Sequence, residues 1–316
     1  MIDRLRADVI GSNGRHATAA IGAFEMSRFH FSPSSPMDDT GCFHERLYHR
    51  QAIVYCQHNT DVLNANQLLT SDSMSASAAD RLLTVNLATR AMARAGLSGA
   101  YGHCSLRLNT DEFLVSAGKA PSTIRLADEG IVVPVQGPLP ENILREVAAH
   151  QAIYRMRPDV GGIARFISPK VLSLSATGRT PRARHGFGTY FAPAPPMWPH
   201  GGLLRTPERA NGAARMLGSA SAIVLRGNGA IVVGANLEQA LVLAWYLEDA
   251  ARVEMEVMSS GCEDSPGYTA EEIADRATWS GGIVERMWQH LIAGDAEVAA
   301  TWSSVGPHRR SGLTPS

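Results

Sequence analysis

The chain has 316 residues, with 29 Lys+Arg against 30 Asp+Glu, a formal net charge of −1, 45% apolar and 19% charged residues. That balance lacks the basic footprint of a nucleic-acid or anionic-membrane binder, and apolar runs such as Ala230–Gly234 and Ala240–Leu247 fall far short of the roughly 20 residues of a membrane helix. Length allows two domains of about 150 residues, or one α/β domain of about 200–250 residues plus a tail.

Cysteines 42, 56, 104 and 262 are widely spaced with no CxxC, so neither a disulfide framework nor a zinc ribbon is signalled. Residues 1–32 carry Asp3, Arg4, Arg6 and Asp8 and no apolar stretch of signal-peptide length. The expectation is a cytoplasmic protein whose partner is a small-molecule substrate, with neither nucleic acid nor membrane.

Up to Ser71 the apolar residues keep no period, Pro33–Pro36 and Asp38–Gly41 read as loops, and Ser71–Ser77 has linker composition. Residues 1–76 are therefore expected to be a disordered or poorly ordered extension, with Met74 an alternative start, 77–295 a folded domain, and 296–316 a flexible tail. Two zinc-like patterns fall in the extension. His44 and His49 flank a metalloprotease-like Glu45, but five residues of helix turn about 500° and set the rings about 140° apart. The pairs Cys42-x-His44 and Cys56-x-His58 do not have structural-zinc spacing, and solvated side chains explain them better.

From Ala79 to Gly96, Leu82, Val85, Ala88, Met92 and Ala95 share one helical stripe. Leu106–Leu108 and Glu112–Ser116 read as strands around the turn Asn109–Asp111, and Gly130–Val135 as a third strand. Pro140–Met156 is predicted helical, ending before Pro158, and Gly162–Ile167 is a short strand. Ser168–Pro169 supplies a helix N-cap and first-turn proline, and Thr206–Pro207–Glu208 repeats that signal for a helix through Leu217. Ala222–Leu225 and Ala230–Val233 form a hairpin around Asn228–Gly229, where both central residues tolerate positive φ. A long helix starts at Leu237, and Thr269–Glu272 is a capping box opening a final one. Mixed strands and helices, with hairpins as well as crossovers, indicate α/β or α+β around one mixed sheet.

Gly102–His103–Cys104–Ser105–Leu106–Arg107, Glu146-x-x-x-His150 running into Tyr154–Arg155-x-Arg157–Pro158–Asp159, and Ser168–Pro169 follow in order. Arg226–Gly227–Asn228–Gly229, Val232–Val233–Gly234 and Leu237–Ala240 leading to Tyr246–Leu247–Glu248 complete the set. Together they make the chain resemble the class II aldolase/adducin family. The resemblance implies an α/β/α sandwich with a central mixed, mainly antiparallel sheet, and a homo-oligomer, commonly a tetramer, with active sites between subunits. It also implies a divalent metal held by a His-x-His pair and a hairpin His, with a helix Glu as acid/base or further ligand.

Here the His-x-His positions hold Arg165–Phe166–Ile167 and the hairpin position holds Asn228. A guanidinium is no metal donor, Ile has no donor atom, and an Asn carbonyl is a poor zinc ligand. The family's zinc is therefore expected to be lost, with no cofactor in its place. Two readings of the matching Glu146 follow. It forms an ion pair with Arg165 in the metal's space, with His150 a satisfied core histidine; or Glu146, Arg165 and His150 are catalytic, Arg165 holding a carboxylate or developing enolate while Glu146 moves protons.

Ser105, Ser116, Gly118, Lys119 and Asn228 are the candidate substrate-binding residues, Ser116–Lys119 through backbone amides and an ammonium. Leu144–Arg145 replace the Ser-Ser that sugar-phosphate members place before the Glu, which favours a carboxylated or aromatic substrate. Gly227-x-Gly229 lies in a hairpin and lacks the context of a dinucleotide fingerprint. His185, Tyr190 and His200, in or beside the Pro/Gly-rich stretch Gly186–Gly202, are candidate pocket residues, whereas Trp245 and Tyr246 read as core or subunit contacts. The expected activity is a metal-independent lyase, aldolase or decarboxylase in type, on a small carboxylated or hydroxylated metabolite. The alternatives are a non-catalytic oligomerising or binding member, and a metal-dependent aldolase or decarboxylase with a non-standard ligand set.

Overall fold

The computed structural model describes residues 77–299. Helix α1 (Ala78–Arg94) opens with a capping box in which the Ser77 hydroxyl accepts from the Asp80 N–H and the Asp80 carboxylate accepts from the Ser77 N–H. Strands β1 (His103–Arg107), β2 (Glu112–Val115) and β3 (Ile131–Pro134) follow, then α2 (Val147–Met156), β4 (Gly162–Phe166) and α3 (Pro169–Ala176). Next come β5 (Met197–Trp198), α4 (Pro207–Leu217), β6 (Ala222–Leu225), β7 (Ala230–Gly234), α5 (Leu237–Ser259), α6 (Ala270–Arg276) and α7 (Ile283–Ile292).

The strands form a seven-stranded sheet in the order β3-β2-β1-β4-β7-β6-β5. Every neighbouring pair is antiparallel except β5–β6. Because side chains alternate along a strand, each sheet face meets its own helical layer. One face carries Cys104, Ala164, Phe166, Val224 and Val232 against α1, α3, α5 and α7. The other carries Phe113, Ile163, Ile223 and Ile231 against α2 and α4. This is the expected α/β/α sandwich. No helix among the described residues is long and apolar enough to cross a membrane.

Several local expectations are corrected. The segment expected to be helical from Pro140 stays in turns until Val147, so Glu146 is the residue before α2 rather than a residue within it. The Thr269 capping box opens α6, but α7 follows, so α6 is not the final helix. The β6–β7 turn is closed by the Asn228 N–H donating to the Leu225 carbonyl at 2.8 Å. Positive φ falls at Gly227 and Gly229, one residue to each side of Asn228. At Gly229 a Cβ would lie 2.0 Å from the Phe166 carbonyl oxygen, so close approach to β4 also demands glycine. Ser168 occupies the N-cap of α3, but its hydroxyl bonds the Glu248 carboxylate of α5 at 2.5 Å rather than the helix amides. The zinc-like patterns and the expectations for residues 1–76 and 300–316 lie outside the described residues.

Candidate active site

Arg165 owes its place to strand alternation. Ala164 and Phe166 enter the core beneath α5, so Arg165 emerges on the opposite face, under α2 and α4. There it lines a tight crevice with Glu146, Leu204, Leu225, Asn228 and Ile231, closed too far to admit a water molecule. The Arg165 residue is 6% exposed. One of its N–H groups donates to the Phe166 carbonyl at 3.0 Å. Burial lowers its pKa to about 10, opposed by the nearby Glu146 charge.

The ion pair between Glu146 and Arg165, one of the two readings of these residues, is not formed. The Glu146 carboxylate accepts from Arg205 Nε at 3.0 Å at the cleft's rim. Arg205 comes from the loop before α4 and is about half exposed, so this pair is a surface pair in high dielectric. Among the described residues the Arg165 guanidinium has no carboxylate within ion-pair distance.

Beside Arg165 lies a buried polar cluster. His103 on β1 stands opposite Arg165 on β4, and its ring centroid is 4.6 Å from that of His150 on α2. Ser105, two residues along the same strand face, bridges His150 Nδ1 at 2.7 Å and the Tyr154 hydroxyl at 2.9 Å. His150 and Ser105 are fully buried, so neither lines the cleft. Burial, reinforced by Arg165, pushes His103 down to about 3. Burial also drives His150 well below the usual imidazole range, helped by His103 and Arg165. Both rings are neutral near pH 7, and His103 Nδ1 and His150 Nε2 have no hydrogen-bond partner. Burial raises the Tyr154 phenol, so it too stays protonated.

The proposed substrate-binding residues are only partly brought together. Asn228 lines the cleft with Glu146 and Arg165. Ser105 belongs to the buried cluster instead. Ser116 accepts weakly from the Cys104 N–H at 3.4 Å, and Lys119 pairs with Asp128 at 2.8 Å. The cation of the anion site expected across Ser116, Gly118 and Lys119 thus carries a surface ion pair of the same exposed kind as Glu146–Arg205. His185 pairs with Asp249 at 2.9 Å, and the His200 ring sits 5.0 Å from that of Trp198.

Sequence reading missed Arg205, which has no local signal and reaches Glu146 from a loop. It also missed the joint placement of His103, Ser105, His150 and Tyr154. Spacings of two on a strand and four on a helix put each pair on one face, but only the sheet-to-helix packing makes the faces meet.

Residues 84–255 match the family described as Class II Aldolase and Adducin N-terminal domain, and the chain belongs to that family. It is 28% identical over 239 residues to 3,4-dihydroxyphthalate decarboxylase of Arthrobacter keyseri, which covers 69% of this chain and 94% of the decarboxylase. Its fold is similar to L-fuculose 1-phosphate aldolase from Glaciozyma antarctica PI12, with a TM-score of 0.58 and 20% identity over 71% of this chain and 96% of that one. An aldolase II superfamily protein from Pseudomonas syringae is likewise similar, with a TM-score of 0.60 and 21% identity over 70% of this chain and 94% of that one.

The divalent metal implied by the family does not fit the residues present. The positions that the resemblance assigns to its three imidazoles hold Arg165, Ile167 and Asn228, a fixed cation, a hydrocarbon and a neutral amide. Among the described residues no three His, Cys, Asp or Glu side chains are grouped to hold an ion.

Proposed function

We propose that this protein is a lyase that decarboxylates a hydroxylated aromatic acid, with Arg165 at the centre of the site. The observation that carries the reading is a buried guanidinium with no carboxylate partner, set in a cleft beside an acid/base residue. A fixed single positive charge suits a substrate that already has its own electron sink, and an aromatic carboxylate ortho to a hydroxyl is one. The likeness to 3,4-dihydroxyphthalate decarboxylases supports the same substrate class.

In the proposed step Glu146 takes the phenolic proton and delivers it to the ring carbon bearing the carboxylate, giving a β-keto acid. The bond from the ring to the carboxylate then breaks, its electron pair restores the aromatic ring, and CO2 leaves. The hydroxyl oxygen ends as a phenolate, which Arg165 stabilises until solvent supplies one proton. One proton is consumed for each CO2 released. Neutral His103 and His150 hold the wall of β1 and α2 beside Arg165 without adding a competing charge. Asn228 offers an amide to a second oxygen of the substrate.

The cleft is closed to a water-sized molecule, with Leu204 and the Glu146 end of the Glu146–Arg205 pair in its lining, so a substrate has to open it. An exposed pair of this kind is worth roughly 0.2–1 kcal/mol, so substrate binding can open it.

The test is to incubate the full chain with 3,4-dihydroxyphthalate, following CO2 release and ring absorbance, with bound metals quantified and a chelator in excess. One CO2 per substrate, retained under chelation and without stoichiometric metal, is expected. Absence of turnover overturns the decarboxylase reading. Activity that tracks a bound metal overturns the metal-independent mechanism.

A further inference from the structure

On the face of the sheet opposite the cleft, the segment after α3 and helices α5 to α7 enclose a second pocket of about 310 Å³. Its apolar walls are Phe187, Tyr190, Tyr246 and Met287, and two arginines, Arg276 and Arg286, complete the lining of what is an open pocket. The Phe187 and Tyr246 rings are stacked at 4.3 Å with 9° between their planes. Tyr190 tilts against Tyr246 at 5.5 Å, its hydroxyl donating to the Thr278 carbonyl at 2.5 Å. These rings are fixed before any ligand arrives.

A Cβ at Gly186 would lie 2.5 Å from Arg276 Nε, so the guanidinium lies against glycine backbone where any side chain would displace it. The positive charge of Arg276 reaches both Tyr190 and Tyr246, and that of Arg286 reaches Tyr246.

Neither of these guanidinium groups is held by a carboxylate, unlike those of seven other arginines in the fold. Arg90, Arg94, Arg157, Arg182, Arg184, Arg205 and Arg252 each pair with a carboxylate. The guanidinium groups of Arg276 and Arg286 make neither an ion pair nor a hydrogen bond among the described residues, and no acidic side chain lines the pocket. Two unpaired guanidinium groups above preformed aromatic walls match a flat ring that carries negative charge. Carboxylate binds the planar fork bidentately, and an arene stacks on the rings. A volume near the lower end of the roughly 300–1,000 Å³ usual for ligand sites limits the occupant to about one ring with its substituents.

We propose that this pocket binds a benzene carboxylate, the ring against Phe187, Tyr190 and Tyr246 and the carboxylate between Arg276 and Arg286. The site is separate from the cleft, with the sheet between them. Its occupancy requires neither Arg165 nor any turnover.

The probe is phthalate, titrated into the full chain by calorimetry, with Trp279 as an optical reporter because its ring is 4.4 Å from that of Tyr190. Sulfate and cyclohexane-1,2-dicarboxylate are the comparison ligands. Arg165→Ala removes the cleft's cation, so binding that remains in that variant belongs elsewhere. Expected are saturable phthalate binding in Arg165→Ala and at least tenfold weaker binding in Arg276→Gln/Arg286→Gln. The cyclohexane analogue should bind several-fold more weakly than phthalate, and sulfate not measurably. Both arginines are exposed, so the double variant should melt like the parent, and Phe187→Leu gives an independent loss of ring contact. The proposal is overturned by no binding in Arg165→Ala, by binding unchanged in the double variant, or by sulfate binding as tightly as phthalate. Because the readout is binding in a cleft-disabled variant, failure of the decarboxylase reading does not decide it.

Discussion

The Glu146 carboxylate is held by Arg205 at 3.0 Å, while Arg165, in the same cleft, donates only to a backbone carbonyl. The two cations differ in what they can offer. Arg205 is half exposed and its pair is screened by water, so releasing Glu146 costs under about 1 kcal/mol. Arg165 is buried, and its positive charge is strongest toward whatever anion enters the cleft. The arrangement leaves the fixed charge for the substrate and keeps the proton carrier on a weak tether.

Replacing Arg165 by methionine separates function from stability. Its buried charge is disfavoured, as its lowered pKa of about 10 records. Arg165→Met should therefore leave stability unchanged or raise it by about 1 kcal/mol, while kcat/KM for decarboxylation falls at least about 100-fold. Thermal melts and steady-state kinetics on the same preparation check both. A marked drop in Tm would make the guanidinium a structural group instead.

Glu146→Gln keeps the shape of the side chain and removes its ability to carry a proton. A loss of about 10²–10⁴ in kcat, with KM within a few-fold, is expected. Arg205→Ala leaves the carboxylate in place and should change kcat only a few-fold. Equal losses in the two variants would show that the pair, not the free carboxylate, matters.

His103 makes stability depend on pH. Its pKa in the native state is about 3 against an ordinary 6.5, so below pH 6.5 the unfolded chain gains a proton that the native chain refuses. Stability is therefore full above that value and falls by up to about 1.4 kcal/mol per pH unit toward pH 3, with His150 adding a loss of the same sign. In His103→Asn the fall of the urea midpoint between pH 6 and pH 4 should be clearly shallower. An unchanged slope would mean that the ring is already protonated or solvated in the native protein.

Short-range chemistry was legible in the sequence wherever the partner is near in the chain. The caps at Thr206 and Thr269 form with their own helices as expected, and strand alternation fixes the face on which Arg165 emerges. The misreadings involve distant partners. Glu146 finds Arg205 across 59 residues, and Ser105 meets His150 across 45. Residues 140–146 carry helix-compatible side chains, yet the turns before Val147 place Glu146 outside the helix and at the cleft. The second pocket needs α5, α6 and α7 to meet around Phe187, and no periodicity of one segment encodes that.

Ser168 shows how such a distant contact bears on the site. The Glu248 carboxylate from α5 accepts the Ser168 hydroxyl at 2.5 Å and the N–H groups of Lys170 and Val171 at 2.9 Å each. It thus does the work of an N-cap side chain and adds a full negative charge at the positive end of α3. Only Ile167 separates this cap from β4, so loosening the first turn of α3 frees the end of the strand that carries Arg165. Glu248→Ala should cost about 1–2 kcal/mol and speed amide exchange at Lys170 and Val171 beyond the global change. If the cap positions Arg165, KM and kcat should both worsen at temperatures where the variant is fully folded, and Glu248→Gln should restore part of each. Intact kinetics in Glu248→Ala alongside fast exchange at Lys170 would show that β4 holds the guanidinium without help from α3.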